Sequence, residues 1–140
     1  WSWGGGSSLR VWSGRIGYFD DATVWHDAAL DFGIANPFIF SLSCSSGKYA
    51  GITGIAEALL QRGAAVYIGA TEVSIRQDNN EGGDKFFEKW ISHHGHPSKT
   101  IGQAWKETRH WASDEWWGEG STYWAAEYQL YGDPKYGAER

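Results

Sequence analysis

One side chain stands out for the chemistry it could do. Cys44 is the single cysteine among 140 residues and sits in Ser43-Cys44-Ser45-Ser46-Gly47, directly after an apolar run. A thiol is already partly ionised and strongly nucleophilic near neutral pH. The small residues after it leave room for a substrate carbonyl and expose backbone N–H groups. The competing reading is a buried core thiol, since free cysteine is among the most buried residue types. A cysteine nucleophile needs a histidine to hold the thiolate or to protonate a leaving amine. The five histidines are His26, His93, His94, His96 and His110, and none sits at a strand end. His93, His94 and His96 share a Gly/Pro loop, where weak metal binding competes with a plain solvated loop. No carboxylate or cysteine is spaced to complete a ligand set. His26 and His110 read as helix-surface residues.

Two further constellations have functional and plain readings side by side. The ten tryptophans could stack on sugar rings, and Trp116-Trp117 in a Gly-rich loop suits that role. The plain reading is core packing together with an interface to a neighbouring domain. Asp78, Glu81 and Asp84 with Asn79 and Asn80 read as an oxygen-rich loop of the kind that holds calcium. The twelve-residue spacing of a dedicated calcium loop is absent.

Composition narrows the function classes. The formal charge is −5 and no basic cluster is present, which argues against nucleic acid as the main partner. Apolar residues at 41% and charged residues at 21% describe a folded domain rather than a disordered one. No apolar run approaches the roughly 18 residues of a membrane span. A lone cysteine excludes an internal disulfide framework and a cysteine-based zinc site. The chain has no Met and opens on Trp1, so it reads as a processed or excised piece. One domain over residues 1–140 is the expectation.

These residues must be held by a scaffold, and its clearest part surrounds Cys44. Residues 38–43 form a run of aromatic and β-branched type between Pro37 and a Ser/Gly turn, which predicts a buried strand. Residues 53–62 predict a helix, and residues 64–69 a second strand. Strand, helix, strand is a βαβ unit, hence a parallel pair. Ligands in such sheets sit beyond the carboxyl ends of the strands, where both Cys44 and the Thr71–Ser74 turn fall.

The rest of the chain is punctuated less sharply. The opening WSWGGGSSLRVWSG reads as a Gly/Ser loop between aromatic residues, followed by a short strand over 15–19. Asp20 and Asp21 cap a short helix through Val24–Leu30. Residues 75–84 read as a loop and 82–94 as a helix. A further helix runs over 98–112 with Ser98 as cap and Ile101, Ala104, Trp105 and Thr108 on one face. Residues 121–134 read as a last helix, ended by Gly132 and Pro134. Two strands do not complete a sheet, so more are expected from a missing N-terminal portion or a companion chain.

Three stretches together resemble a known family. PFIFSLSCSSGKYAGITGIAEALLQRGAAVYIGAT is similar to the nucleophile strand, following helix and next strand of gingipain-type cysteine peptidases. Glu57 stands where the family helix has a Glu, and Ile68-Gly69-Ala70-Thr71 where the strand ends in an Ile-Gly-Ser-like turn. STYWAAEYQLYGDPKYG resembles the closing aromatic stretch that ends in Leu-x-Gly-Asp. WGGGSS resembles the Gly-His-Gly-Ser loop. The resemblance implies the C-terminal half of a catalytic domain with the caspase-like fold. That fold is an α/β three-layer sandwich around a mostly parallel sheet, only part of it in this chain.

By this resemblance the nucleophile falls on Cys44, and the oxyanion donors on the Cys44 and Gly6 backbone N–H groups. The specificity wall falls on Thr71, Glu72, Val73 and Ser74. The family's catalytic histidine falls on Gly5, a residue without a side chain. The implied activity is hydrolysis of a polypeptide substrate through a thioester, with no cofactor required. An extracellular or cell-envelope location follows from the resemblance alone. An inactive pseudopeptidase that binds peptide or protein, and a Trp-rich glycan-binding module, are the alternative readings.

Overall fold

The computed structural model describes residues 2–3, 9–12, 16–19, 36–48, 55–61, 63–91, 97, 99–115 and 119–137. The expected helix through Val24–Leu30, the glycines Gly5 and Gly6, His26, the His93–His96 cluster and Trp116-Trp117 lie outside the described residues.

The opening segment is more than a loop. Ser2–Trp3 (β1), Leu9–Trp12 (β2) and Ile16–Phe19 (β3) form an antiparallel meander, with Trp3 opposite Leu9 and Val11 opposite Gly17. The third strand was legible. The first two were hidden because the glycines and serines between them dominate the composition of the segment.

The βαβ unit forms, but its first strand is shorter than the expected 38–43 and half-buried rather than buried. Phe38–Phe40 (β4) and Val66–Ala70 (β5) pair in parallel, with Phe40 opposite Ile68, and helix α1 (Ile55–Gln61) lies between them in sequence. The pairing runs one residue past β4, where the Ser41 amide donates to the Ile68 carbonyl at 2.7 Å. Every residue of β5 is buried, as expected of a central strand covered on both faces.

The closing segment departs from the single helix that the sequence suggests. Helix α4 covers Glu119–Glu127 in chain order, and the chain then turns into strand β6 (Tyr128–Gly132), antiparallel to β5. The sheet order is therefore β4-β5-β6, with one parallel and one antiparallel pair among the described residues. The third strand comes from this chain and not from elsewhere. Two tyrosines in five residues favour a pleated strand over a helix. The Thr71 amide and hydroxyl both donate to the Glu127 carbonyl, at 2.8 and 2.9 Å, and pin the helix-to-strand junction against the end of β5. Gly132 closes the strand at φ +104°, against the Ala65 carbonyl, where a side chain would collide.

Two helices fill the space between. Helix α2 runs over Arg76–Trp90, so residues 76–84 are helical and not the expected loop. Its buried face is Asn79, Gly82, Gly83, Phe86 and Trp90, a helical stripe. Its cap residue Ile75 makes no side-chain capping bond, and so the sequence carried no start signal. Helix α3 (Ile101–Asp114) buries Ile101, Ala104, Trp105, Thr108 and Ala112, which includes the predicted face. Its cap is Thr100 rather than Ser98: Thr100 and Gln103 form a reciprocal capping box. The first-turn amides of Ile101 and Gly102 donate to the carbonyls of Tyr136 and Pro134, which ties the C-terminal turn to this helix.

The core between sheet and helices is largely aromatic. Phe38 meets Trp90 edge-on at 4.8 Å, Phe40 lies 5.1 Å from Phe86, and Trp124 stacks on Tyr128 at 4.9 Å. Trp90, Trp105 and Trp124 are all buried, which is the packing role anticipated for most tryptophans.

Candidate active site

The local sequence after β4 builds a tight turn. The chain leaves the sheet at Ser41 and reverses through Ser43–Gly47, with Ser45 held at φ +55°. That conformation is uncommon for a residue with a side chain. It persists because the surroundings fix it. The Ser45 amide donates to the Glu72 carbonyl at 2.8 Å and the Gly47 amide to the Ala70 carbonyl at 2.7 Å. Both acceptors lie at or beyond the end of β5, so the turn is riveted to its parallel neighbour.

A hydroxyl network supports the turn from beneath. Ser41 Oγ donates to Ser46 Oγ at 2.6 Å, and Ser46 Oγ donates to the Ser43 carbonyl at 2.8 Å. The Tyr67 hydroxyl reaches the Ser46 carbonyl at 3.0 Å, and the Tyr131 hydroxyl reaches the Gly47 carbonyl at 2.7 Å. Burial pushes the Tyr67 phenol up to about 12, so it remains a donor throughout the neutral range. Gly47 permits this closeness: a Cβ there would lie 2.5 Å from the Gly69 carbonyl oxygen.

Cys44 is half-buried and faces one residue above all, Ser74. Its Sγ lies 3.3 Å from the Ser74 carbonyl oxygen, 3.4 Å from the Ser74 amide nitrogen and 3.7 Å from Ser74 Oγ. As a thiol the sulfur donates to the carbonyl. As a thiolate it faces two donors, the amide and the hydroxyl. Ser74 is in turn held by Asn79 in the first turn of α2, whose Nδ2 donates to Ser74 Oγ at 2.8 Å and to the Leu42 carbonyl at 3.1 Å. Tyr128 lies on the same side: its hydroxyl is fully buried, outside hydrogen-bonding geometry with any described group, and has Ser74 and Cys44 as polar neighbours. Burial pushes the Tyr128 phenol well above its ordinary value.

The structure thus brings Cys44 together with the expected Thr71–Ser74 segment, although within it only Ser74 touches the sulfur. Val73 and Ile75 flank Ser74 as exposed apolar side chains. Carboxylates gather along the same rim. Glu127 is held above the usual carboxylate range by partial burial and then by the charges of Asp78 and Glu72. Asp78 is likewise raised by partial burial and by Glu81. Among the described residues, no group of three or more His, Cys, Asp or Glu is arranged to hold a metal ion. The oxygen-rich run is helical, and Asn79 faces the Cys44 turn. His110 is exposed on α3 and pairs with Asp114 at 3.0 Å, the surface role expected of it.

Sequence reasoning overlooked Asn79, Tyr67, Tyr128 and Tyr131 as parts of this site. The signal for Asn79 was present in the spacing of Asn79, Gly82, Phe86 and Trp90, which continues the apolar face of the helix backward by two turns. The tyrosines had no local signal, because each reaches the turn across the sheet.

The model of peptidase family C25 matches residues 1–137. No curated protein and no solved structure matches the chain.

Proposed function

The chain belongs to peptidase family C25, and from that premise we propose that it is the C-terminal half of a cysteine endopeptidase domain in which Cys44 is the nucleophile. The observation that carries the reading is the position of Cys44. It sits on a tight turn beyond the carboxyl end of a parallel strand, with its sulfur at the Ser74 amide and hydroxyl. Cys44 attacks the scissile carbonyl of a polypeptide, the C–N bond breaks as the amine leaves with the thiol's proton, and water hydrolyses the resulting thioester to a carboxylic acid and the free thiol. The amides of Ser45, Ser46, Gly47 and Lys48 are already bonded within the fold. The Cys44 amide is then the turn's donor to the oxyanion, with the Gly6 amide as the second. Thr71, Glu72, Val73 and Ser74 form one wall of the substrate pocket, and no cofactor is needed. Residues 1–140 belong to one domain, and the layers follow the caspase-like sandwich, completed by a preceding portion or a companion chain. An extracellular or cell-envelope location is proposed with it, on the resemblance alone.

A second reading rests on a specific observation. Gly5 stands where the family pattern has its histidine, and glycine does no acid–base work. On that reading the site binds peptide without turning it over. Intact mass after incubation with peptidyl acyloxymethyl ketones, spanning basic, acidic and apolar residues before the reactive group, separates the two. Wild type, Cys44→Ala and Gly5→His are compared. Labelling of wild type but not of Cys44→Ala supports the peptidase. Labelling only after Gly5→His supports the binding protein. Labelling of neither removes a competent site from this chain.

A further inference from the structure

We infer that Asn79 is a positioning residue for the nucleophile and acts entirely through the Ser74 hydroxyl. The inference rests on Cys44 as the nucleophile and goes beyond it by assigning what holds the sulfur.

The argument is an account of one proton. A serine hydroxyl has one hydrogen to give and two lone pairs to receive. Asn79 Nδ2 must be a nitrogen, because its other contact at 3.1 Å is the Leu42 carbonyl oxygen, which only accepts. It therefore donates to Ser74 Oγ at 2.8 Å and occupies one lone pair. With that lone pair taken by Asn79, the Ser74 hydrogen points at Cys44 Sγ, 3.7 Å away. The Ser74 amide adds a second donor at 3.4 Å. Without Asn79 the hydroxyl is free to rotate away from the sulfur.

The arrangement carries a cost of its own. Asn79 is 3% exposed, and its Oδ1 is buried with no hydrogen-bond partner among the described residues. Buried polar atoms are seldom left so. The same amide nitrogen also donates to the Leu42 carbonyl, which anchors the Asn79 side chain in place beside Ser74.

Iodoacetamide tests this, because it needs neither a peptide pocket nor a histidine. Cys44 is the single cysteine, so intact mass reports its alkylation directly in the full chain. Losing one hydrogen-bond donor weakens the hold on the sulfur as it attacks, and the greater nucleophilicity of a less stabilised sulfur offsets about half of the effect on rate. Ser74→Ala is then expected to slow alkylation about three- to tenfold. Asn79→Ala should slow it by a similar factor, and the double variant should be no slower than Ser74→Ala. Asn79→Asp keeps the size, replaces the donor with an acceptor and draws the serine proton away from the sulfur. It should be at least as slow as Asn79→Ala. Ser74→Thr, which keeps the hydroxyl, should restore the rate. A melting curve beside each variant shows that the chain is folded, and Asn79→Asp serves where Asn79→Ala does not fold.

An unchanged rate in both Asn79 variants, or factors that multiply in the double variant, would overturn the assignment. The two failures are separable. Ketones that never label wild type remove the peptidase reading and leave the iodoacetamide pattern standing. Ketone labelling with a flat iodoacetamide series removes only the role of Asn79.

Discussion

Gly47 is where the Cys44 turn touches the sheet, and replacing it with alanine puts the whole account of the site at risk. An added Cβ would lie 2.5 Å from the Gly69 carbonyl oxygen and 2.7 Å from its carbon, both backbone atoms of the buried central strand. Neither can swing aside as a side chain would. To reach ordinary contact the turn must lift by about 1 Å, the scale at which packing contacts are lost. That lift stretches the Gly47 amide bond to the Ala70 carbonyl from 2.7 Å to beyond hydrogen-bonding range, and strains the bond from the Tyr131 hydroxyl to the Gly47 carbonyl. Overpacking costs about 1–3 kcal/mol, and each weakened buried hydrogen bond adds about 1 kcal/mol. The expected loss is about 3–5 kcal/mol, or about 10–20 °C in melting temperature for a chain of this size.

The displacement has a direction as well as a cost. The turn carries Cys44 away from the end of β5, and hence away from the Ser74 amide and hydroxyl. Gly47→Ala should therefore melt early and also alkylate slowly at temperatures where it is fully folded. Lys48→Ala, one residue on and exposed, is the control and should leave both quantities unchanged. Thermal unfolding followed by tryptophan fluorescence and iodoacetamide kinetics followed by intact mass give the two numbers. A Gly47→Ala protein that melts within about 2 °C of wild type, a shift small against the per-kcal scale, refutes the claim that backbone contact holds the turn. Early melting with an unchanged alkylation rate would keep the contact but refute its role in placing the sulfur.

Two titration predictions follow from the buried and crowded groups. The Tyr67 phenol is raised from 10.0 to about 12 by burial, so its stabilising effect is complete below pH 10 and is lost as pH climbs from 10 through about 12. The loss is about 1.4 kcal/mol per pH unit for one such group. Tyr67→Phe should flatten that alkaline decline while costing about 1 kcal/mol at neutral pH, through the orphaned Ser46 carbonyl; an alkaline decline of unchanged slope would count against it. Glu127 is raised above its ordinary 4.5 by partial burial and by Asp78 and Glu72. The fold therefore favours its neutral form, and this contribution is present below pH 4.5 and lost as pH rises through the folded value. Glu127→Gln should raise the melting temperature at pH 7 and have no effect at pH 4, with a gain held to about 0.5 kcal/mol by solvent screening. An equal gain at both pH values would show that charge is not the cause.

What was legible in the sequence follows a physical divide. The β4–α1–β5 unit announced itself because each part is local: an apolar run, a helical run and a second apolar run, separated by turn residues. The buried face of α3 was legible for the same reason. Helix α2 began earlier than expected because its first turns are Gln77, Asp78, Asn79 and Asn80 followed by Gly82 and Gly83, a composition that favours loops in isolation. It is helical because tertiary packing uses those residues. A Cβ at Gly82 would overlap the Trp124 ring, and Gly83 admits Leu42. The strand β6 was concealed by the helix that runs into it. Its strand character comes from five backbone pairings with β5, Val66 with Gly132 through Ala70 with Tyr128, and no local window contains the partner.

The site divides along the same line. A parallel pair brings both carboxyl ends to one edge of the sheet, and the register sets Phe40 beside Ile68. From there Cys44 is four residues onward and Ser74 six, so their segments had to meet once the topology was known. The contacts between them are not a property of either segment. Ser43–Gly47 alone is compatible with a core thiol or a nucleophile, and Thr71–Ser74 alone is an unremarkable turn. What the fold adds is their meeting: the Ser74 carbonyl, amide and hydroxyl converge on a sulfur that is neither sealed in the core nor fully exposed. Asn79 completes the argument, because its side chain satisfies the Ser74 hydroxyl and the Leu42 carbonyl while its own oxygen goes unpaired. On the proposal that Cys44 is the nucleophile, an amide so placed also fixes the direction of one hydroxyl beside the sulfur.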